Sequence, residues 1–170
     1  MTFFKSIFFM AFIQFAILGT LGEIVALKLS KKKIIVLKTI YSAIVWGVLG
    51  IIIKFVFVGF NGFVNELVSY GYLPSGDFWK AFFKSLFMNS MFGPVMVVIH
   101  RFLENLYNLK LKISKEGLKK AFWALLWFWL PAHTITFMLP NNWQITLAAV
   151  WSFVLGLLLS FFNTMKKESD

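Results

Sequence analysis

Five mostly apolar stretches, each near the length that crosses a bilayer, constrain this chain more than any other feature. A helical span needs about 20 such residues, roughly 17–25. The stretches are 6–27 (SIFFMAFIQFAILGTLGEIVAL), 39–60 (TIYSAIVWGVLGIIIKFVFVGF), 82–101 (FFKSLFMNSMFGPVMVVIHR), 121–139 (AFWALLWFWLPAHTITFML) and 143–163 (WQITLAAVWSFVLGLLLSFFN). Lipid offers no partner to backbone N–H and C=O groups, so segments of this kind must satisfy them internally, as helices do. The expectation is an all-α polytopic integral membrane protein: one transmembrane domain over residues 1–170, a bundle of about five helices. Composition removes the soluble alternative. The chain is 59% hydrophobic and only 14% charged, against about 25% charged residues in soluble domains.

The connections carry the charge. KLSKKK joins the first two spans, and NELVSYGYLPSGD joins the second to the third with Gly71, Pro74 and Gly76 as turn formers. ENLYNLKLKISKEGLKK joins the third to the fourth, with room for a short surface helix, and PNNW makes a tight turn before the fifth. With five spans, Lys28, Lys31, Lys32, Lys33 and Lys38 share one side with Arg101, Lys110, Lys112, Lys115, Lys119, Lys120, Lys166 and Lys167. The other side has Lys5, Glu66, Asp77, Lys80 and Lys84. The positive-inside rule then places the N-terminus outside and the C-terminus inside. The membrane is the inner one if the source is bacterial, an organelle membrane otherwise. Net charge is +10, which predicts attraction to anionic headgroups at the lysine-rich side. Nucleic-acid binding is disfavoured, because the lysines lie in loops between spans and not on one soluble face. A cleaved signal peptide over residues 1–27 is the alternative for the first span, but its apolar core is long and no small-x-small site follows it.

Ionisable groups inside spans cost about 2.5–3.5 kcal/mol on insertion scales and so face protein or water. Glu23 lies near the inner end of the first span, where His100 and Arg101 arrive at similar depth from the third. It either pairs with one of them, lines a solute path, or snorkels in lipid. Gly19, one turn earlier on the same face, favours close approach of another helix. Lys54 stands roughly 23 Å from the inner boundary by helix rise. Outward snorkelling works against the lean of helical side chains toward the N-terminus, so a place beside a water-filled cavity is as plausible as a lipid-facing one. Span four places His133, Thr134 and Thr136 just after Pro131. The two readings are a proline kink repaired by hydroxyls and a polar constriction beside Lys54. Asn89 and Ser90 precede Gly93-Pro94 in span three and suit interhelical hydrogen bonds, and Gly47 and Gly50 suit close packing.

Trp79 and Trp143 flank spans as interfacial anchors. Trp123, Trp127 and Trp129 form no cofactor pattern, and no cofactor is expected. Cysteine is absent and only two histidines occur, without paired spacing for a metal. No catalytic motif is present, neither Gly-x-Ser-x-Gly nor a phosphate loop, so an enzyme is not expected. Two function classes remain. One is a channel or permeation pathway for small solutes or ions, lined by Glu23, Lys54, Asn89 and His133. The other is a non-transporting structural or assembly protein whose intramembrane polar residues fix helix packing. A secondary transporter fits less well without internal repeats. Five short helices barely enclose a pore, so a homo-oligomer is plausible for each.

Several short motifs resemble the Mpv-seventeen family of small organelle membrane proteins, related to the twenty-two-kilodalton peroxisomal membrane protein. TLGEIVALKL resembles the family's Gly-Asp stretch, with Gly22 followed by Glu23 in place of Asp. KSLFMNSMFGP resembles its Lys…Asp-Gln…Pro pattern, with Lys84, Asn89 and Pro94 matching and Met88 at the Asp. FWLPAHTITFMLP resembles its Trp-Pro…Asn-Phe…Val-Pro stretch, anchored on Pro140 with Trp129 beside the Trp-Pro pair but without the Asn, and VLGLLLS resembles its last span through Ser160. The family's Gly-Pro…Trp-Tyr segment has no clean match, and Gln144 replaces its Arg. The resemblance implies a small membrane protein of a kind often regarded as a non-selective or weakly cation-selective channel.

Overall fold

The computed structural model describes the backbone of residues 2–107, 109 and 115–169, and the side chains of 7–107, 109, 115 and 117–158. Among these the regular structure is all helical. In chain order the elements are α1 (Thr2–Leu29), α2 (Val36–Ser69), α3 (Asp77–Phe87), a π-helical turn (Met88–Phe92) and α4 (Gly93–Leu106). After them come α5 (Lys115–Ala124), a second π-helical turn (Leu125–Trp129), α6 (Leu130–Met138) and α7 (Asn141–Ser169).

Four continuous helical runs are long and apolar enough to cross a membrane: Ile7–Leu29, Val36–Ser69, Asp77–Leu106 and Gly117–Met138. In the first three, only 28% of the most apolar window is buried inside the protein. Phe9, Ile17, Ile44, Phe55, Val58, Met91 and Val95 all point outward from these runs. Surfaces of this kind need lipid to cover them, so the chain is an integral membrane protein. The fifth expected span lies within α7, whose side chains after residue 158, including Ser160, Lys166 and Lys167, are outside the described residues. Of the stretch 104–120, where a short surface helix was expected, residues 108 and 110–114, with Lys110 and Lys112, are outside them as well, and 115–120 begin α5.

Two boundaries move. The second helix continues through Asn65 and Glu66 to Ser69, although the connecting loop was expected to include them. Its 34 residues reach about 50 Å, beyond a hydrocarbon core of about 30 Å, so its polar end is free to leave the lipid. The chain then reverses at Gly71, which takes a left-handed φ of 75°. The third span starts earlier than expected, at Asp77, whose carboxylate suits the positive end of the helix dipole.

Two compact units divide the helices. The first holds residues 1–51 and 146–170, thus α1, the first half of α2 and most of α7. Here glycines set the spacing. A Cβ at Gly50 would lie 2.7 Å from the Ala11 carbonyl oxygen, a backbone atom that can yield only if α1 moves. Gly22 meets the backbone of Phe153 in the same way, with 3.2 Å from a built Cβ to its Cα. Ala11, Phe15, Leu49 and Ala149 fill this core.

The second unit spans residues 52–145, and its main packing is α3 against α6. Ala81, Lys84, Ser85, Met88 and Asn89 recur at helical spacing and form the buried face of α3 and its π turn. Ala132, His133, Thr136 and Phe137 are the buried counterpart on α6. Both π turns precede a proline near the start of the next helix, Pro94 and Pro131. The reason is local. Proline has no N–H, and its ring collides with a carbonyl of the preceding turn. Widening that turn by one residue relieves the collision. The Gly93 N–H then reaches the Met88 carbonyl, and the Leu130 N–H reaches the Leu125 carbonyl, both across five residues.

Candidate functional site

Among the described residues, most of the buried polar side chains lie in the second unit. Lys84 is only 6% exposed. Its ammonium donates to Asn61 Oδ1 on α2 and lies 4.9 Å from the centre of the Phe137 ring. Both partners are neutral. Among the described residues no carboxylate pairs with it. An ammonium carries three donors, and the amide oxygen occupies one.

One turn further along the same face begins a chain of hydrogen bonds. The Asn89 amide nitrogen donates to the Ser85 carbonyl at 2.8 Å and lies 3.2 Å from Ser85 Oγ and 3.3 Å from His133 Nδ1. Ser85 Oγ donates to the Leu130 carbonyl at 2.7 Å, and Thr134 Oγ1 donates to the same oxygen at 2.8 Å. Leu130 directly precedes Pro131, where the π turn ends and α6 begins, so hydroxyls from two helices meet at one irregular carbonyl. An amide N–H can donate only to an imidazole nitrogen with a free lone pair. The arrangement therefore calls for neutral His133 with its proton on Nε2.

Aromatic rings close around the imidazole. Trp129 stacks on it at 4.9 Å, Phe137 lies on its other side at 6.0 Å, and Phe57 approaches edge-on at 5.7 Å. Trp129 and Phe137 flank His133 by four residues in each direction on one helical line. Thr136 is fully buried and donates to the Ala132 carbonyl at 2.9 Å. The polar groups thus form a narrow seam between α3 and α6, walled by aromatics.

Glu23 belongs to the first unit. Its Oε1 accepts a 2.8 Å hydrogen bond from the Trp46 indole nitrogen. The indole lies where a Cβ of Gly19 would otherwise sit. The glycine expected to admit a neighbouring helix thus admits the ring that binds the acid. Gly47 and Gly50 receive Phe12 and Phe15 in the same close packing. His100 and Arg101 lie in the other unit. There Arg101 pairs with Glu104 at 2.9 Å, and His100 Nε2 lies 3.9 Å from the same carboxylate, each within a turn of α4.

Of the residues expected to line a path, Asn89 and His133 lie together in the seam. Lys54 is half-buried on α2, and the lysine that enters the seam is Lys84. Of the residues carrying the family resemblance, Lys84, Asn89 and Trp129 lie in the seam. Pro94 follows the first π turn, and Gly22 packs on Phe153. Pro140 lies in the turn before α7, where its carbonyl accepts the Trp143 N–H at 2.9 Å. Sequence reasoning missed Asn61 and Ser85. Ser85 was accessible to it, standing one turn before Asn89 on one face. Asn61 falls 23 residues from Lys84, beyond any local spacing rule.

No family model, curated protein or solved structure matches the chain.

Proposed function

We propose that the protein provides a permeation pathway for small solutes or ions, with the seam between α3 and α6 as its polar interior. The observation that carries this reading is Lys84, a cation-forming side chain almost fully buried in a membrane-spanning run against neutral partners. Carrying such a group into a span costs about 2.5–3.5 kcal/mol. An interhelical hydrogen bond inside a membrane returns about 0.6–2 kcal/mol. The Phe137 ring adds about 0.5–2 kcal/mol, so packing gives lysine no clear advantage over an apolar residue, and a role in handling solute supplies a reason for lysine. Asn61, Asn89 and His133 are the further polar groups along the same route. We include in the proposal that the chain is a divergent member of the Mpv-seventeen family. What supports this is that Lys84 and Asn89, two positions of the motif resemblance, are both buried in the seam.

The competing reading is a non-transporting protein whose polar residues fix helix packing. The saturated chain Asn89–Ser85–Leu130–Thr134 favours it, since every link there is a helix-to-helix or helix-to-itself bond. Solute and ion flux through purified protein in liposomes separates the two, comparing wild type with Lys84→Met, Lys54→Met and Glu23→Gln. Flux above empty liposomes, with its charge preference altered by Lys84→Met at unchanged folded yield, is the expected result. Wild-type protein that is folded yet no leakier than empty liposomes overturns it.

A further inference from the structure

A concave face on α5 lies apart from the seam. Lys115, Leu118, Lys119, Phe122, Trp123 and Leu126 line a groove of about 400 Å³. They follow the 3–4 spacing of one helical face. Polarity along it is graded: two lysines at the start, then leucine and aromatic rings. Lys115, Lys119, Phe122, Trp123 and Leu126 are all exposed, Trp123 at 59% and Leu126 at 55%. The apolar stretch begins at Ala121, just after these lysines, so the lysine end of the face stands at its polar boundary, at headgroup depth.

We propose that this groove binds one anionic phospholipid, with its phosphate at Lys115 and Lys119 and the upper part of an acyl chain along Phe122, Trp123 and Leu126. Charge complementarity selects the occupant. A zwitterionic lipid would satisfy the apolar floor equally well but would bring a cationic group to the lysine end. The length agrees: from Lys119 to Leu126 the helix rises about 10 Å, enough for the glycerol and the first several methylenes. The volume also falls within the 300–1,000 Å³ range of small-molecule sites. By the positive-inside count these lysines face the cytoplasmic leaflet, where anionic lipids are enriched. The lipid site is independent of the permeation reading.

Trp123 makes it testable. The full-length protein is placed in phosphatidylcholine vesicles containing increasing amounts of phosphatidylglycerol brominated on its upper acyl carbons, which quenches nearby indoles. The signal of Trp123 is the difference between wild type and Trp123→Phe. The site predicts half-maximal quenching of that signal at a several-fold lower content of brominated phosphatidylglycerol than of brominated phosphatidylcholine. Lys115→Gln and Lys119→Gln should each weaken the preference by roughly 5-fold, the effect of one lysine at an anionic surface. Equal quenching by the two lipids would overturn the proposal and leave only general acyl contact. So would a preference for phosphatidylglycerol that survives the double lysine substitution.

Discussion

Replacing Lys84 by methionine sets the two readings of the buried seam against each other in a measurement that needs no solute. Methionine keeps an unbranched stem and loses the ammonium. Three terms change. The bond to Asn61 disappears, at about 0.6–2 kcal/mol for an interhelical bond in a membrane. The contact with the Phe137 face also disappears, and a cation over an aromatic ring contributes about 0.5–2 kcal/mol. Against these losses of about 1–4 kcal/mol stands the relieved cost of holding a lysine in the span, about 2.5–3.5 kcal/mol. The terms nearly cancel. Reversible unfolding in bicelles should therefore place the variant between about 1.5 kcal/mol less stable and about 2.5 kcal/mol more stable than wild type. Destabilisation beyond about 3 kcal/mol would refute the reasoning. It would mean that Lys84 is held by interactions stronger than a neutral amide and one ring, and that its burial needs no explanation beyond stability.

Glycine substitutions in α2 should separate close packing from helix propensity. Gly50→Ala places a methyl group 2.7 Å from the Ala11 backbone oxygen, so thermal stability in detergent should fall by about 1–3 kcal/mol, the usual cost of overpacking. Gly59→Ala meets nothing within 4 Å and should be neutral or stabilising by up to about 1 kcal/mol. A fall at both positions would show that the first unit's spacing is not what Gly50 serves. Trp46→Phe removes the indole donor to Glu23, and a hydrogen bond contributes about 0.5–1.5 kcal/mol. A double-mutant cycle with Glu23→Leu should then give a coupling of about 0.5–1.5 kcal/mol, and additive effects would refute the pairing.

How much was legible in the sequence depends on the range of the physics involved. The insertion of a span depends on polarity summed over about twenty neighbouring residues, so the four membrane-compatible runs could be read directly. The turn at Pro140 and the protein-facing side of Glu23 were legible too, the latter from Gly19 one turn away. Such signals live within a single helix. The limits showed first at span ends, where Asn65 and Glu66 continue α2 past the expected loop. Polarity alone does not stop a helix whose end is free to leave the lipid.

Which polar group lies inside was decided by tertiary structure. The sequence singled out Lys54, deep in its apolar run, and set Lys84, near the start of its own, with the charges of the outer side. Lys84 shares the α3 face that meets α6, and Asn61 is brought to it by the reversal at Gly71. The two prolines announced irregular backbone, but sterics at each proline are met by either a kink or a widened turn. Packing of α3 against α6 accompanies the widened turns, which place Asn89 against His133 and expose the Leu130 carbonyl to two hydroxyls. By itself the sequence determined that this chain is helical and lives in a membrane, because backbone solvation and apolar transfer are local sums. The buried lysine and its seam belong to the tertiary structure, because they depend on contacts between residues that no local sum relates.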